Sequence, residues 1–146
     1  MKQLEQDIER KLQDHEVGKL LLTTIDGIGP RTVACLIAEL GDPSRFRDAA
    51  ALASYVGVGA AFCGNRANVR SPAREAFRSE MRACVIGCGC GHCAVRRNPW
   101  LRAHYNRLLP AGKRPKVALG ASMRKLLTAV YSVARNRQPF VPHPSR

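Results

Sequence analysis

Acidic residues all but disappear after the first third of this 146-residue chain. Residues 1–42 hold 5 Lys/Arg against 8 Asp/Glu, whereas residues 43–146 hold 19 against 3. The net charge of +13 favours nucleic acid or another polyanion as the partner. Aromatic side chains are scarce too, at 5% of residues, so stacking on bases can play little part in binding. No apolar run approaches the ~20 residues of a membrane span, which argues against a membrane partner. The stretch from Met1 to Arg10 is charged and lacks the apolar core of a secretory signal. A cytoplasmic chain with its 6 Cys reduced is therefore expected. Strand-type alternation is weak throughout, and the fold class expected is all-α. Cys84, Cys88, Cys90, His92 and Cys93 crowd into ten positions with three glycines between them. A tetrahedral zinc site draws ligands from two separated segments, so these cysteines read as small apolar packing residues and no metal site is expected.

What is present is most legible at Thr24-Ile25-Asp26-Gly27-Ile28-Gly29-Pro30-Arg31-Thr32. A Gly-apolar-Gly turn there joins the apolar segment Leu20 to Ile25 to an apolar helical run, Val33 to Leu40. This is the sequence form of a helix-hairpin-helix DNA-binding element. The glycines let the backbone turn tightly and approach a ligand closely. The first amides of the second helix lack intrahelical partners and sit at its positive dipole end, where a phosphate can bind. The competing reading is an ordinary turn between two helices. Gly27, Ile28, Gly29, Arg31 and Thr32 are the candidate contacts, and such a motif would hold DNA without reading its sequence.

Helical spacing organises the rest. Leu4, Ile8 and Leu12 predict a narrow-faced helix over residues 2–17, the end of a helical linker or coiled coil spanning 1–18 and a candidate for self-association. Gly18 is expected to interrupt it before a first hairpin helix from Lys19 to Thr24. The second hairpin helix, Arg31 to Leu40, should end at Gly41. Ser44 is expected to cap a helix from Arg45 to Tyr55. Residues 57–72 read as loop, and a helix then starts at Ser71-Pro72. Further helices are expected from Asn98-Pro99 and from Lys116 to Arg135, the latter with Leu119, Met123, Leu126, Leu127, Val130 and Tyr131 at core spacing. The Pro-rich tail after Arg137 should fray, with 141–146 disordered.

Arg70, Arg74, Arg78 and Arg82 recur every four residues, which stacks them along one side of a helix. Like charges so placed repel one another, and only Glu75 and Glu80 lie nearby. They read as a phosphate-tracking stripe rather than a solvated face, which Arg96, Arg97, Arg102 and Arg107 could extend.

Taken in order, the blocks LLTTIDGIGPRTVACLIAELGDPSRF, AALASYVGV, RRNPWLRAHYNRLL and GKRPKVALGASMRKLLTAVYSVARNRQPF resemble the C-terminal transposase domain of the DEDD-type insertion-sequence transposases, the insertion sequence 110 family. The resemblance covers roughly residues 19–140. It implies a DNA-binding, nucleoid-associated protein acting in DNA transposition and recombination, in some members guided by an RNA of the element and working as an oligomer. It also implies a RuvC-like domain with a Mg²⁺ site ahead of this region. This chain starts inside what resembles the connecting helix, so Mg²⁺ is not expected to bind it. The family's nucleophile is a serine in a Ser-Gly dipeptide, but SYVGVGAAFCGN places Cys63-Gly64 there. Cys63 is thus the candidate catalytic position, and the chain alone is expected to bind DNA without cutting it. A stand-alone helix-hairpin-helix module and a basic RNA-binding protein are the alternatives.

Overall fold

The computed structural model describes residues 2–56 and 90–142. Within them the chain forms seven α-helices and one short 3₁₀ turn, and no strand. They are α1 (Lys2–Gln13), α2 (Glu16–Thr24), α3 (Pro30–Leu40), the 3₁₀ turn Pro43–Arg45, α4 (Ala49–Val56), α5 (Cys90–Arg97), α6 (Pro99–Leu108) and α7 (Pro115–Asn136). The all-α expectation holds for these residues.

Helix α7 is the axis on which the others assemble, touching α2, α4, α5, α6 and the 3₁₀ turn. Its length permits this, as six turns of helix present more than one face. Leu119, Met123, Leu126, Leu127, Val130 and Tyr131, the residues singled out by spacing, are all buried. Leu21 from α2, Val33 from α3 and Ile25 from the turn between them, Leu52 and Val56 from α4, and Leu101 from α6 complete the core. The Tyr131 hydroxyl donates to the Phe46 carbonyl at 2.9 Å, tying the 3₁₀ region to α7.

Three boundaries differ from those the sequence predicts. The break after α1 falls at Asp14–His15, where His15 Nδ1 accepts from the Gly18 amide at 3.3 Å and caps α2. Gly18 lies inside α2 because α1 and α3 crowd it: a β-carbon there would stand 3.0 Å from Leu12 Cδ2 and 3.1 Å from Ile37 Cδ1. Close packing, not termination, is its role. Ser44 does not cap a long helix either. Asp42 accepts from the Ser44 amide to hold the 3₁₀ turn, and Asp48 Oδ1 accepts from the Ala51 amide at 2.7 Å to start α4. Those bonds hold both carboxyls below the usual aspartate pKa. The tail, finally, is docked as far as Phe140, whose ring meets Trp100 edge-on at 4.9 Å. Apolar contact at one aromatic overrides the fraying that its prolines predict. Residues 143–146 lie outside the described part.

Candidate nucleic-acid interface

The turn between α2 and α3 runs from Ile25 to Gly29. Its two apolar residues face inward: Ile25 is 1% exposed and Ile28 7%. Ile28 is therefore a hydrophobic anchor, and what it can offer a ligand is backbone. Gly27 takes φ +88°, a left-handed conformation that side chains disfavour, and a β-carbon there would lie 2.8 Å from Ala94 Cα. The turn thus sits directly on the backbone of α5. Gly29 is the N-cap of α3 at φ −83° and ψ 161°, with no side-chain cap. A β-carbon at Gly29 would meet nothing within 4 Å.

This local sequence leaves the start of α3 open. Pro30 occupies the first helical position and has no N–H to satisfy. The first intrahelical bond is donated by Val33 to the Gly29 carbonyl. The amides of Arg31 and Thr32 precede it and make no intrahelical bond. Arg31 is exposed and Thr32 half-buried. Beside them lies a recess of about 330 Å³ lined by Ile8, Glu9, Gly29, Pro30 and Arg31. Glu9 and Arg31 share it, so their side-chain charges nearly cancel there. Attraction of a polyanion has to come from elsewhere.

The excess of positive charge lies in α5 and beyond. Residues 90–142 contain no Asp or Glu and eleven Lys/Arg. The exposed Arg97 stands beside the turn, its β-carbon 3.4 Å from one built on Gly27. Asn98, 4% exposed, locks the arrangement. Its Nδ2 donates to the Asp26 carbonyl at 3.1 Å, while Oδ1 accepts from the amides of Trp100 at 3.0 Å and Leu101 at 3.4 Å. One side chain therefore caps α6 and clamps the turn. The Asn-Pro pair announces the cap in sequence, but nothing in sequence announces the clamp across 72 residues.

Of the other candidates, Arg96, Arg102 and Arg107 are exposed. Cys63, Arg70, Arg74, Arg78 and Arg82 lie outside the described residues, as do Cys84 and Cys88. Cys90 and Cys93 stand at Cys-x-x-Cys spacing across the first turns of α5, a pair that the packing-residue reading passes over; Cys93 is an exposed free thiol. Among the described residues no group of three or more His, Cys, Asp or Glu side chains gathers to hold a metal ion. No described helix is long and apolar enough to cross a membrane.

Comparison with known proteins follows the same blocks. The family model described as "Transposase IS116/IS110/IS902 family" matches residues 19–106, from α2 through most of α6. The "Pilin gene-inverting protein" of Moraxella bovis is 32% identical over 128 residues, covering 82% of this chain and 38% of that protein. An insertion element IS110 protein of Streptomyces coelicolor is 27% identical over 135 residues, covering 91% of this chain and 32% of that protein. The chain thus spans about a third of the length of these relatives. No solved structure matches it. The match across more than half of its length, through the turn and its α5–α6 support, makes this chain a member of the IS116/IS110/IS902 family of transposases.

Proposed function

We propose that this chain is a DNA-holding domain of a transposase or recombinase, gripping the duplex by its phosphates through a helix-hairpin-helix formed by α2, the Gly27–Gly29 turn and α3. The observation that carries this reading is the uncapped start of α3: an open N-cap at Gly29 and two amides, those of Arg31 and Thr32, without intrahelical acceptors. Gly27, Ile28 and Gly29 supply the backbone shape, and the Arg31 side chain supplies charge. A relative named for inverting a pilin gene agrees with work on DNA. Duplex binding by the whole chain should fall steeply as salt rises, because each neutralised phosphate releases a counterion. Gly29→Val has room to fold and would cover the amides, so its affinity for a 20-base-pair duplex should drop roughly tenfold, the scale of one charge-assisted hydrogen bond. Equal affinity of a folded Gly29→Val chain leaves the turn as a helix connection and refutes the grip.

The chemistry of strand transfer is assigned elsewhere. Cys63 occupies the position of the family's serine, and a thiolate prefers carbonyl carbon to a phosphodiester. The Mg²⁺-binding carboxylates of the family belong to the RuvC-like domain, and a guide RNA or a second protomer would act with that longer assembly. Incubation with element-end DNA and Mg²⁺ followed by denaturing electrophoresis is expected to show no covalent protein–DNA adduct. An adduct that disappears in Cys63→Ala overturns this assignment.

A further inference from the structure

The connection between α6 and α7 carries three exposed cations, Lys113, Arg114 and Lys116. Its backbone is defined at both ends. Beyond Leu108 the Gly112 amide donates to the Leu109 carbonyl at 3.1 Å, and the Lys113 amide donates to the Leu108 carbonyl at 3.2 Å. Gly112 takes φ +79°, and this pair of bonds around a left-handed glycine is a Schellman motif closing α6. Arg114 then stands as the N-cap of α7 at φ −62° and ψ 147°, and Pro115 opens that helix. The chain thus passes from one helix end to the next through Lys113 and Arg114.

Each of the three cations occupies a position where local structure favours another kind of residue. A Schellman motif commonly places an apolar side chain where Lys113 stands, to pack on the helix it closes. An N-cap favours Ser, Thr, Asp or Asn, and Arg114 makes no side-chain cap bond. The first turn of a helix favours acidic side chains, yet Lys116 sets a cation at the positive end of the α7 dipole. Nor does pairing compensate. Among the described residues the three side chains make no hydrogen bond and no ion pair. Residues that break local preference without a compensating contact in the fold are expected at functional surfaces.

We infer that Lys113, Arg114 and Lys116 form a second contact for the phosphates of duplex DNA, separate from the Gly27–Gly29 turn. This contact extends the DNA-holding function proposed above and rests on it. Arg114 offers a planar fork and the lysines offer point charges, both suited to phosphate oxygens. Residues 109–116 hold no aromatic side chain on which an unpaired base could stack, which favours a duplex over a single strand. Helix α6, about 15 Å long for its ten residues, separates this connection from Asn98 and the turn it clamps. That is roughly four to five base pairs at about 3.4 Å each, well within a duplex of 20.

Fluorescence anisotropy of a 20-base-pair duplex with the full chain across a salt series tests this. Lys113→Gln, Arg114→Gln and Lys116→Gln together should flatten the plot of log affinity against log salt by about 2.7, three phosphates at about 0.9 each. Chains alike near 1 M salt should then differ roughly 500-fold near 0.1 M. A control that removes the same charge elsewhere, Lys11→Gln, Lys19→Gln and Arg45→Gln, should keep the wild-type slope. Arg114→Ser adds a good N-cap while removing one cation, so it should raise the urea midpoint and lower the slope by about 0.9. A lower midpoint in Arg114→Ser would show that the arginine serves the fold and overturns its role here. An unchanged slope in the folded Gln triple, or an equal loss in the control, overturns the contact while leaving DNA binding by the turn intact. Loss of affinity in the Gln triple for a structured RNA but not for duplex DNA also overturns it. Failure of the wild-type chain to bind duplex DNA at any salt overturns the underlying DNA-holding function as well.

Discussion

Replacing Gly27 by Val should destabilise the domain by about 2–5 kcal/mol, through left-handed backbone strain of about 1–2 kcal/mol and overpacking of about 1–3 kcal/mol. Both costs are local. At φ +88° a β-branched side chain is strained whatever space it finds, and here its β-carbon would stand 2.8 Å from Ala94 Cα and 3.2 Å from the Ala94 carbonyl oxygen. Backbone atoms in a helix cannot step aside as a side-chain tip can, so the turn must lift off α5. Native domains are stable by only about 5–15 kcal/mol, so the loss is a large fraction of the whole. Gly29→Val makes the contrast. Its backbone is already extended and its surroundings empty, and a poor N-cap residue costs about 1 kcal/mol. Urea unfolding of the two variants beside the wild type separates them. Equal midpoints for Gly27→Val and Gly29→Val would show that the turn is not seated on α5 as drawn.

The two glycines of one motif therefore do different jobs. Both read from sequence as permissive residues near a phosphate. The structure makes Gly27 a packing and conformational requirement and leaves open space beside Gly29 at the uncapped helix start. DNA binding is best probed at Gly29, because a defect in Gly27→Val would confound lost contact with lost fold.

What sequence could show follows a physical line. Helix α7 was legible because six buried residues repeat at helical spacing, a pattern that local periodicity captures completely. The start of α6 was legible because Asn98-Pro99 is a cap and a first-turn residue in succession. The start of α2 was not: Gly18 looks like a terminator, and only the approach of Leu12 and Ile37 shows that it is a packing residue. Asp48, not Ser44, starts α4, since several side chains nearby could cap and tertiary anchoring of Phe46 by Tyr131 decides which does. At the candidate interface, the turn was legible as a motif and the charge as a composition. Their meeting at Arg97 and Asn98 was not, because it depends on contacts between segments some 70 residues apart.

Asn98→Ala is expected to remove both functions of one buried side chain at a cost of about 2–3 kcal/mol, the sum of an N-cap and one further hydrogen bond. The first turn of α6 loses the acceptor for the Trp100 and Leu101 amides, and the Asp26 carbonyl loses its donor. Asn98→Asp separates the two. A carboxylate still accepts from both amides and suits the positive end of α6, but it cannot donate to Asp26 and its oxygen repels that carbonyl. Amide hydrogen exchange should therefore quicken at Asp26–Gly29 in both variants, and at Trp100 and Leu101 only in Asn98→Ala. DNA binding carries the decisive readout for positioning. Asn98 bears no charge, so Asn98→Ala should weaken duplex affinity by loosening the turn while leaving the salt slope at its wild-type value, whereas removal of a phosphate-contacting cation lowers that slope by about 0.9. A parallel drop in slope would mean that the turn's cations are lost from the DNA along with its shape, and that Asn98 positions Arg97 as well as the backbone.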